Sequence, residues 1–149
     1  MKNLIVTVSL VCIAGITQAF AHPAGNDPVK KQEFAKKFAG AENVKWISLA
    51  DGYEKVAFTL GGTRAEAYFN SDGEFLGTVR NMLYTQLPLL VMQTVSNRFT
   101  DATIIEVREI NNSEGTNYRV ILEHKDKKYN VRLNTLGEIT EQQKEKIKK

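Results

Sequence analysis

The residue types that most often carry catalytic or metal chemistry are scarce in this chain, which has two histidines and one cysteine among 149 residues. His22 could chelate Cu(II) or Ni(II) through an amine and an imidazole if cleavage made it the N-terminus, and the alternative is a frayed terminal residue. His124 is most simply an exposed turn residue beside Lys125 and Asp126. Two histidines without a His-x-x-Glu type of spacing do not predict a zinc site.

Other catalytic constellations are also missing from the sequence. No serine stands in a Gly-x-Ser-x-Gly context, and Gly61-Gly62 is followed by a strand pattern rather than by the helix of a phosphate-binding loop. The carboxylate pairs Glu106 with Glu109 and Asp72 with Glu74 are common surface patterns. We therefore predict no catalytic residue, no metal and no cofactor, and an enzyme is only the third class of function that we consider.

Binding chemistry is better supported, by polar residues that alternate with apolar ones along two predicted strands. Arginine and tyrosine are enriched at protein contacts because they combine apolar area with directional hydrogen bonds. We predict a binding face, with Lys55 and Arg119 on adjacent strands, that is made by Arg64, Glu66, Tyr68, Lys128, Asn130 and Arg132. The alternative is a merely solvated face, since alternating charges such as those of Arg64 and Glu66 are typical of one.

An internal repeat indicates how these residues are positioned. The segment NSDGEF at residues 70–75 recurs as NTLGEI at residues 134–139, and Phe38 to Trp46 matches Phe99 to Val107. The copies differ in length at a predicted loop, ADG at residues 50–52 in the first and the longer NNSEG at residues 111–115 in the second. Insertions are tolerated in surface turns, so this difference supports the alignment.

Each copy predicts a helix followed by antiparallel strands. Asp27 can cap the first helix with Pro28 at its first position, and Pro88 opens the second helix. Apolar residues recur four apart on each helix: Phe34 and Phe38 on the first, Val91, Val95 and Phe99 on the second. Strict alternation then predicts that one face of the sheet is covered: Val56, Phe58, Leu60, Ala65, Ala67, Phe69, Tyr129, Val131 and Leu133 point inward.

The predicted fold class is therefore α+β. Two tandem α-β-β-β(-β) repeats form one antiparallel sheet, and both helices pack on one face of it. The first repeat covers residues of about 27–82, the second residues of about 87–141, and a basic tail follows at residues 142–149.

The N-terminus predicts export. A short positive start, an apolar run and the sequence Ala19-Phe20-Ala21 predict a signal peptide of residues 1–21, cleaved after Ala21. Cleavage would remove Cys12 and leave a chain without cysteine, which excludes disulfides and thiolate sites. The net charge is only +3, with four lysines among the last six residues, so we predict no nucleic-acid partner. The location expected is periplasmic or secreted, without a stable membrane anchor after cleavage.

Several short motifs resemble those of the exported PepSY-like proteins, which are also described as β-lactamase-inhibitor-like: FAGA at residues 38–41, VKW at 44–46, FNSDG at 69–73 and LP at 87–88. The resemblance covers nearly all of residues 22–149 in the right order, although Ala39 and Thr100 stand where related sequences usually carry proline. It implies a periplasmic tandem-repeat protein without known catalysis. PepSY domains are thought to inhibit or regulate proteases, and the inhibitor-like fold binds proteins with its sheet. No contact residue can be carried over.

These observations favour an exported, non-enzymatic binding protein that inhibits or regulates an envelope protease or another hydrolase through its exposed sheet face. The expected partner is an envelope or extracellular protein. The alternative is a binder of small apolar ligands or lipids, with a cavity between helices and sheet. Small residues (Ala57, Ala65 and Ala67) favour such a cavity, and large ones (Trp46, Phe58, Phe69 and Met92) would fill it.

Overall fold

The computed structural model describes residues 27–147, so the predicted signal peptide, Cys12 and His22 lie outside the described residues. In this range two helices and eight strands follow one another: α1 (Pro28–Lys37), β1 (Glu42–Ser48), β2 (Glu54–Leu60), β3 (Thr63–Phe69), β4 (Phe75–Asn81), α2 (Leu89–Arg98), β5 (Thr103–Asn112), β6 (Gly115–His124), β7 (Lys127–Asn134) and β8 (Ile139–Lys146). The strands form one antiparallel sheet in the order β1 to β8. The predicted α+β class, with one antiparallel sheet and two α-helices, is confirmed.

Both helices begin and end where the sequence predicts. The side chain of Asp27 accepts hydrogen bonds from the backbone N–H groups of Val29 and Lys30, at 2.9 and 3.4 Å, and Pro28 is the first helical residue. These bonds satisfy two of the donors that a helix start leaves free. Helix α2 starts directly after Pro88, and each helix ends at a phenylalanine, Phe38 or Phe99.

The two helices cover the same face of the sheet, but they bury separate apolar clusters. The smaller cluster joins α1 to β2 and β3 and contains Phe34, Val56, Phe58, Ala67 and Phe69. The larger cluster joins α2 to β5, β6 and β7 and contains Leu87, Val91, Val95, Phe99, Val107, Tyr118, Val120, Leu122, Val131 and Leu133. Between the clusters, Arg80 of β4 forms an ion pair with Glu109, its cross-strand partner on β5, at 2.8 Å.

The two asparagine turns that mark the sequence repeat have the same hydrogen bonds. Asn70 Oδ1 accepts from the N–H groups of residues 72 and 74, and its amide nitrogen donates to the Glu74 carboxylate. Asn134 makes the equivalent bonds with residues 136 and 138. The glycine of each turn has a positive φ and lies under the start of a helix. A Cβ on Gly137 would come within 2.5 Å of the Leu90 carbonyl oxygen, which explains why the second turn also needs glycine.

The prediction of a basic tail from residue 142 is wrong for residues 142–146, because β8 continues to Lys146. This strand pairs along its length with β7, and Lys128 lies opposite Glu145. Its sequence has no alternation of apolar and polar residues because it is the edge strand and most of its residues are exposed. Charged residues on an edge strand disfavour pairing with further chains, so the lysines and glutamates of β8 suit a strand of this position.

Three further placements of residues in the structure differ from those predicted from the sequence. Residues 111, 112 and 115 extend the β5–β6 hairpin, where Asn112 lies opposite Gly115, instead of forming a long loop. Leu60 is 38% exposed because it lies beside the hairpin turn at the end of β2. Ala57 lies opposite Glu66, on the side of the sheet away from the helices, so it cannot enlarge a cavity under a helix.

Candidate binding face

The side of the sheet opposite to α1 and α2 is called the open face below. The cross-strand pairs show which residues lie on the open face. Ala67 and Val56 are paired and buried under α1, so the residues next to them along each strand point to the other side of the sheet. The register of the other strand pairs shows which residues of the remaining strands lie on the same side of the sheet. The six predicted binding residues all lie on it, namely Arg64, Glu66, Tyr68, Lys128, Asn130 and Arg132.

A hydrogen-bonded group on β2 and β3 centres on Glu66. Its carboxylate accepts from the Tyr68 hydroxyl at 2.8 Å and from the Lys55 ammonium group at 3.1 Å. Burial alone would raise the pKa of Glu66, but these bonds and the positive charges of Lys55 and Arg108 outweigh it and lower that pKa. Burial raises the pKa of Tyr68 to about 12, and the hydrogen bond that the Tyr68 hydroxyl donates to Glu66 adds to this effect. Tyr68 is therefore a neutral donor and Glu66 a charged acceptor at neutral pH.

A second polar group lies on β5, β6 and β7. Arg108 pairs with Glu106, two residues away on its own strand, at 2.6 Å. The Nε of Arg119 donates to Asn130 Oδ1 at 2.8 Å. Arg119 was predicted on a strand adjacent to the face, whereas Arg108 and Glu106 were not predicted as part of it. The alternation of β5 could have found both, since Val107 between them is buried under α2.

Apolar side chains lie between the two polar groups and also within the second one, and none of them was among the residues predicted for the face. Val79 of β4 pairs with Ile110 of β5, and Ile121 of β6 pairs with Asn130 of β7. All three apolar residues are half-buried and lie on the open face. The open face therefore combines arginine, tyrosine and aliphatic groups, a composition typical of surfaces that contact other proteins.

The predicted residues do not form one compact site. Glu66 and Tyr68 come within reach of Arg108, while Asn130 and Arg132 gather around Arg119. Four strand spacings separate β3 from β7, which corresponds to roughly 19 Å. Lys128 lies near the far edge between Glu123 and Glu145, its partners on either side. The arrangement suits a broad contact with a large partner better than a pocket for a small molecule.

The clefts in the described part of the chain include two with charged walls. One, of about 410 Å³, lies beside α1 and is lined by Val29, Gln32, Glu33, Lys36, Lys37, Gly73, Glu74 and Phe75. The other, of about 130 Å³, lies on the open face and is lined by Ile110, Arg119, Asn130, Arg132 and Glu141. Charged side chains line both clefts, and the first meets the apolar side of the sheet only at Phe75. They do not favour the alternative of a small apolar ligand.

His124 is not the exposed turn residue that the sequence suggests. Its ring lies 5.9 Å from that of Phe99 and 6.3 Å from that of Tyr129, so it closes one end of the larger apolar cluster. Residues 27–147 contain no group of three or more histidine, cysteine, aspartate or glutamate side chains that could hold a metal ion.

No helix in the described range is both long and apolar enough to cross a membrane.

Comparison with known proteins gives matches of structure but not of sequence. No family model matches the chain, and no curated protein matches it. The PepSY-like part of the sequence resemblance therefore stays a prediction.

The structural likeness extends over most of the chain. A BLIP-like protein from Bacteroides fragilis superposes with a TM-score of 0.74 at 17% identity, covering 86% of this chain and 91% of that one. A candidate periplasmic protein from Bacteroides eggerthii gives 0.73 at 18% identity, over 83% and 90% of the two chains. A DUF2874 family protein from Bacteroides ovatus gives 0.73 at 17% identity, over 83% and 89%. The chain thus has the fold of these BLIP-like and DUF2874 proteins, as the inhibitor-like part of the resemblance implied.

Proposed function

We propose that the protein is exported, has no catalytic activity of its own, and inhibits or regulates an envelope protease or another hydrolase by covering it with the open face. The observation that carries the proposal is this face itself. Both helices pack on the other side of the sheet, and the open face presents tyrosine, arginine and aliphatic groups across several strands.

The polar groups of this face are held in place before any partner arrives. Tyr68 and Lys55 are both bonded to Glu66, and Arg119 is bonded to Asn130. Fixing side chains in advance reduces the entropy that binding must otherwise overcome. A rigid face that blocks access to an active site is sufficient for inhibition and needs no catalytic group.

Export and fold support the same conclusion. Residues 1–21 have the pattern of a signal peptide, and one protein of the same fold is described as a candidate periplasmic protein. Another is described as BLIP-like. The partner would therefore be an envelope or extracellular protein rather than a nucleic acid or a membrane.

The test is a set of purified envelope proteases and β-lactamases, assayed with increasing amounts of the mature protein. We expect concentration-dependent inhibition or activation of at least one enzyme. A triple variant, Arg64→Ala with Tyr68→Ala and Arg132→Ala, should lose most of the effect, because arginine and tyrosine anchors contribute about 2 kcal/mol or more each.

A matched triple variant on the helices serves as the control: Lys31→Ala, Gln32→Ala and Arg98→Ala, all exposed, remove the same number of cations. It should act like the wild type. If the face variant is folded by circular dichroism and still acts fully, the open face is not the contact surface. If the helix variant is the one that fails, the contact lies on the helices.

A further inference from the structure

The open face carries a row of arginines that the sheet aligns across neighbouring strands. Arg108 of β5 lies directly opposite Arg119 of β6, and Arg119 lies directly opposite Arg132 of β7. The backbones of neighbouring arginines in this set are therefore one strand spacing of about 4.8 Å apart. This set is called the arginine row below.

Such an arrangement is costly for the folded protein alone. Like charges that lie directly opposite each other in a sheet destabilise it. Arg108 is neutralised by Glu106, but within residues 27–147 neither Arg119 nor Arg132 forms an ion pair. Glu141 lies opposite Arg132, yet its carboxylate accepts a hydrogen bond from Gln143 instead.

The opposite side of the same sheet shows that this cost is avoidable. There Arg80 of β4 lies opposite Glu109 of β5, and the two make a bidentate pair at 2.8 and 3.0 Å. Cation thus faces anion at this pair on the helix side, whereas cation faces cation twice within the arginine row, at Arg108 with Arg119 and at Arg119 with Arg132. The difference indicates that the uncompensated charge of the row serves binding and not folding.

The surroundings of the row indicate what it binds. The cleft of about 130 Å³ is lined by two cations against one anion, and Ile121 follows on the next row of the face; its lining is Arg119, Arg132, Glu141, Asn130 and Ile110. The planar guanidinium fork matches a carboxylate with two parallel hydrogen bonds. Aliphatic groups beside the forks favour a partner that offers both carboxylates and apolar side chains, which a protein segment does. A second copy of this face would place arginines against arginines, which electrostatics disfavours.

We propose that the arginine row binds an acidic segment of the partner protein, with Arg119 and Arg132 each holding one carboxylate. The proposal rests on the open face being the contact surface and adds the chemistry of the partner. It assigns specificity to Arg119, which bonds only to a neutral amide in the described part of the chain.

The probe is a fluorescein-labelled alanine-based helical peptide with glutamates at positions i, i+4 and i+8, since this spacing places carboxylates about 5–6 Å apart. The same peptide with glutamines is its control. Binding is followed by fluorescence anisotropy at physiological salt. We expect saturable binding of the glutamate peptide, and none of the glutamine peptide.

The variants separate the row from general positive charge. Arg119→Gln and Arg132→Gln should each weaken binding of the glutamate peptide on the order of tenfold, because each removes a charge-assisted hydrogen-bonded pair. Arg119→Lys keeps the charge without the fork and should recover only part of the loss. Arg98→Gln removes an exposed arginine of α2, on the other side of the sheet, so it should change binding less than twofold. The melting temperature of Arg119→Gln should be unchanged or higher, since a repulsion is removed.

Several results would overturn the proposal. Equal binding of both peptides, or an equal loss with Arg98→Gln, would show that the row has no special role. Tighter binding of oligogalacturonate or of phosphatidylglycerol vesicles than of the peptide would assign the row to a polymer or a membrane. The enzyme assays keep the two proposals apart. If Arg119→Gln still inhibits a hydrolase fully, only the arginine row is wrong; if the peptide binds but no enzyme responds, only the inhibitory function is wrong.

Discussion

The two halves of the molecule have the same order of elements and the same asparagine turns, yet they fill the space under their helices differently. In the first half, Lys30 of α1 is buried and forms an ion pair of 3.1 Å with the buried Glu54 of β2. In the second half, Val91 takes the equivalent place, four residues before Val95 as Lys30 is four before Phe34. Tyr118 takes the place of the glutamate, because it pairs with Leu133 in the way that Glu54 pairs with Phe69.

The difference shows that one backbone arrangement accepts two kinds of interior. The Lys30 ammonium group also donates to the Gly52 carbonyl at 3.3 Å, so the buried charge has two oxygen partners. In the second half the same region belongs to a cluster of ten buried residues, against five in the first. Burial of apolar area is the main favourable contribution to folding, so we infer that the second half is the more stable one.

The largest effect is expected from removing one partner of the ion pair. Lys30→Met should reduce the free energy of unfolding by about 3–5 kcal/mol, because Glu54 would keep a buried charge without its cation. The double variant Lys30→Val with Glu54→Tyr introduces the residue types of the second half and should regain most of this loss. Urea unfolding at pH 7 measures both. A double variant as unstable as the single one would show that the halves are not interchangeable at these positions.

The next effect on stability is expected at the phenylalanines that end the two helices. Phe99 is 5% exposed, so Phe99→Ala should cost about 3–5 kcal/mol, whereas the half-buried Phe38 should cost clearly less when truncated. We expect one transition for both variants, because β4 and β5 join the halves into a single sheet. Thermal unfolding followed by far-UV circular dichroism and by tryptophan fluorescence would test this. Two transitions, each shifted by only one variant, would mean that the halves unfold independently.

The smallest effect on stability is expected at the ion pair of Arg80 and Glu109, which connects the two halves. The hydrogen bond from Arg80 lowers the pKa of Glu109, and the one from Asn111 adds to it, against the opposing effect of burial. A carboxylate with a lowered pKa stabilises the protein above its unfolded pKa near 4.5, and this contribution disappears as the pH falls through the folded value. Because Arg80 is half exposed, we expect no more than about 1 kcal/mol. Glu109→Gln should flatten the dependence of stability on pH between 5 and 3; an unchanged profile would contradict the assignment.

Much of this fold follows from local sequence. The cap at Asp27, the prolines at both helix starts, the Gly61-Gly62 hairpin and the alternation of β2, β3 and β7 are short-range patterns, and each leads to the element predicted. The same alternation assigned the predicted binding residues to the open face. Local patterns succeed here because backbone geometry fixes the side-chain period and the positions of caps within a few residues.

Other features depended on the tertiary structure. The burial of Lys30 results from a glutamate 24 positions further along the chain, and a lysine on a helix otherwise indicates a solvated surface. Strand β8 has no apolar face and is recognised only by its pairing with β7. The arginine row needs three strands in register, and the register of β4 against β5 is set across the whole of α2 rather than by a hairpin turn. The sequence by itself determined the two helices and the alternating strands, and which way the residues of those strands point. Only the folded sheet decided which side chains meet, because contacts between distant strands depend on register, and register is a property of the assembled structure.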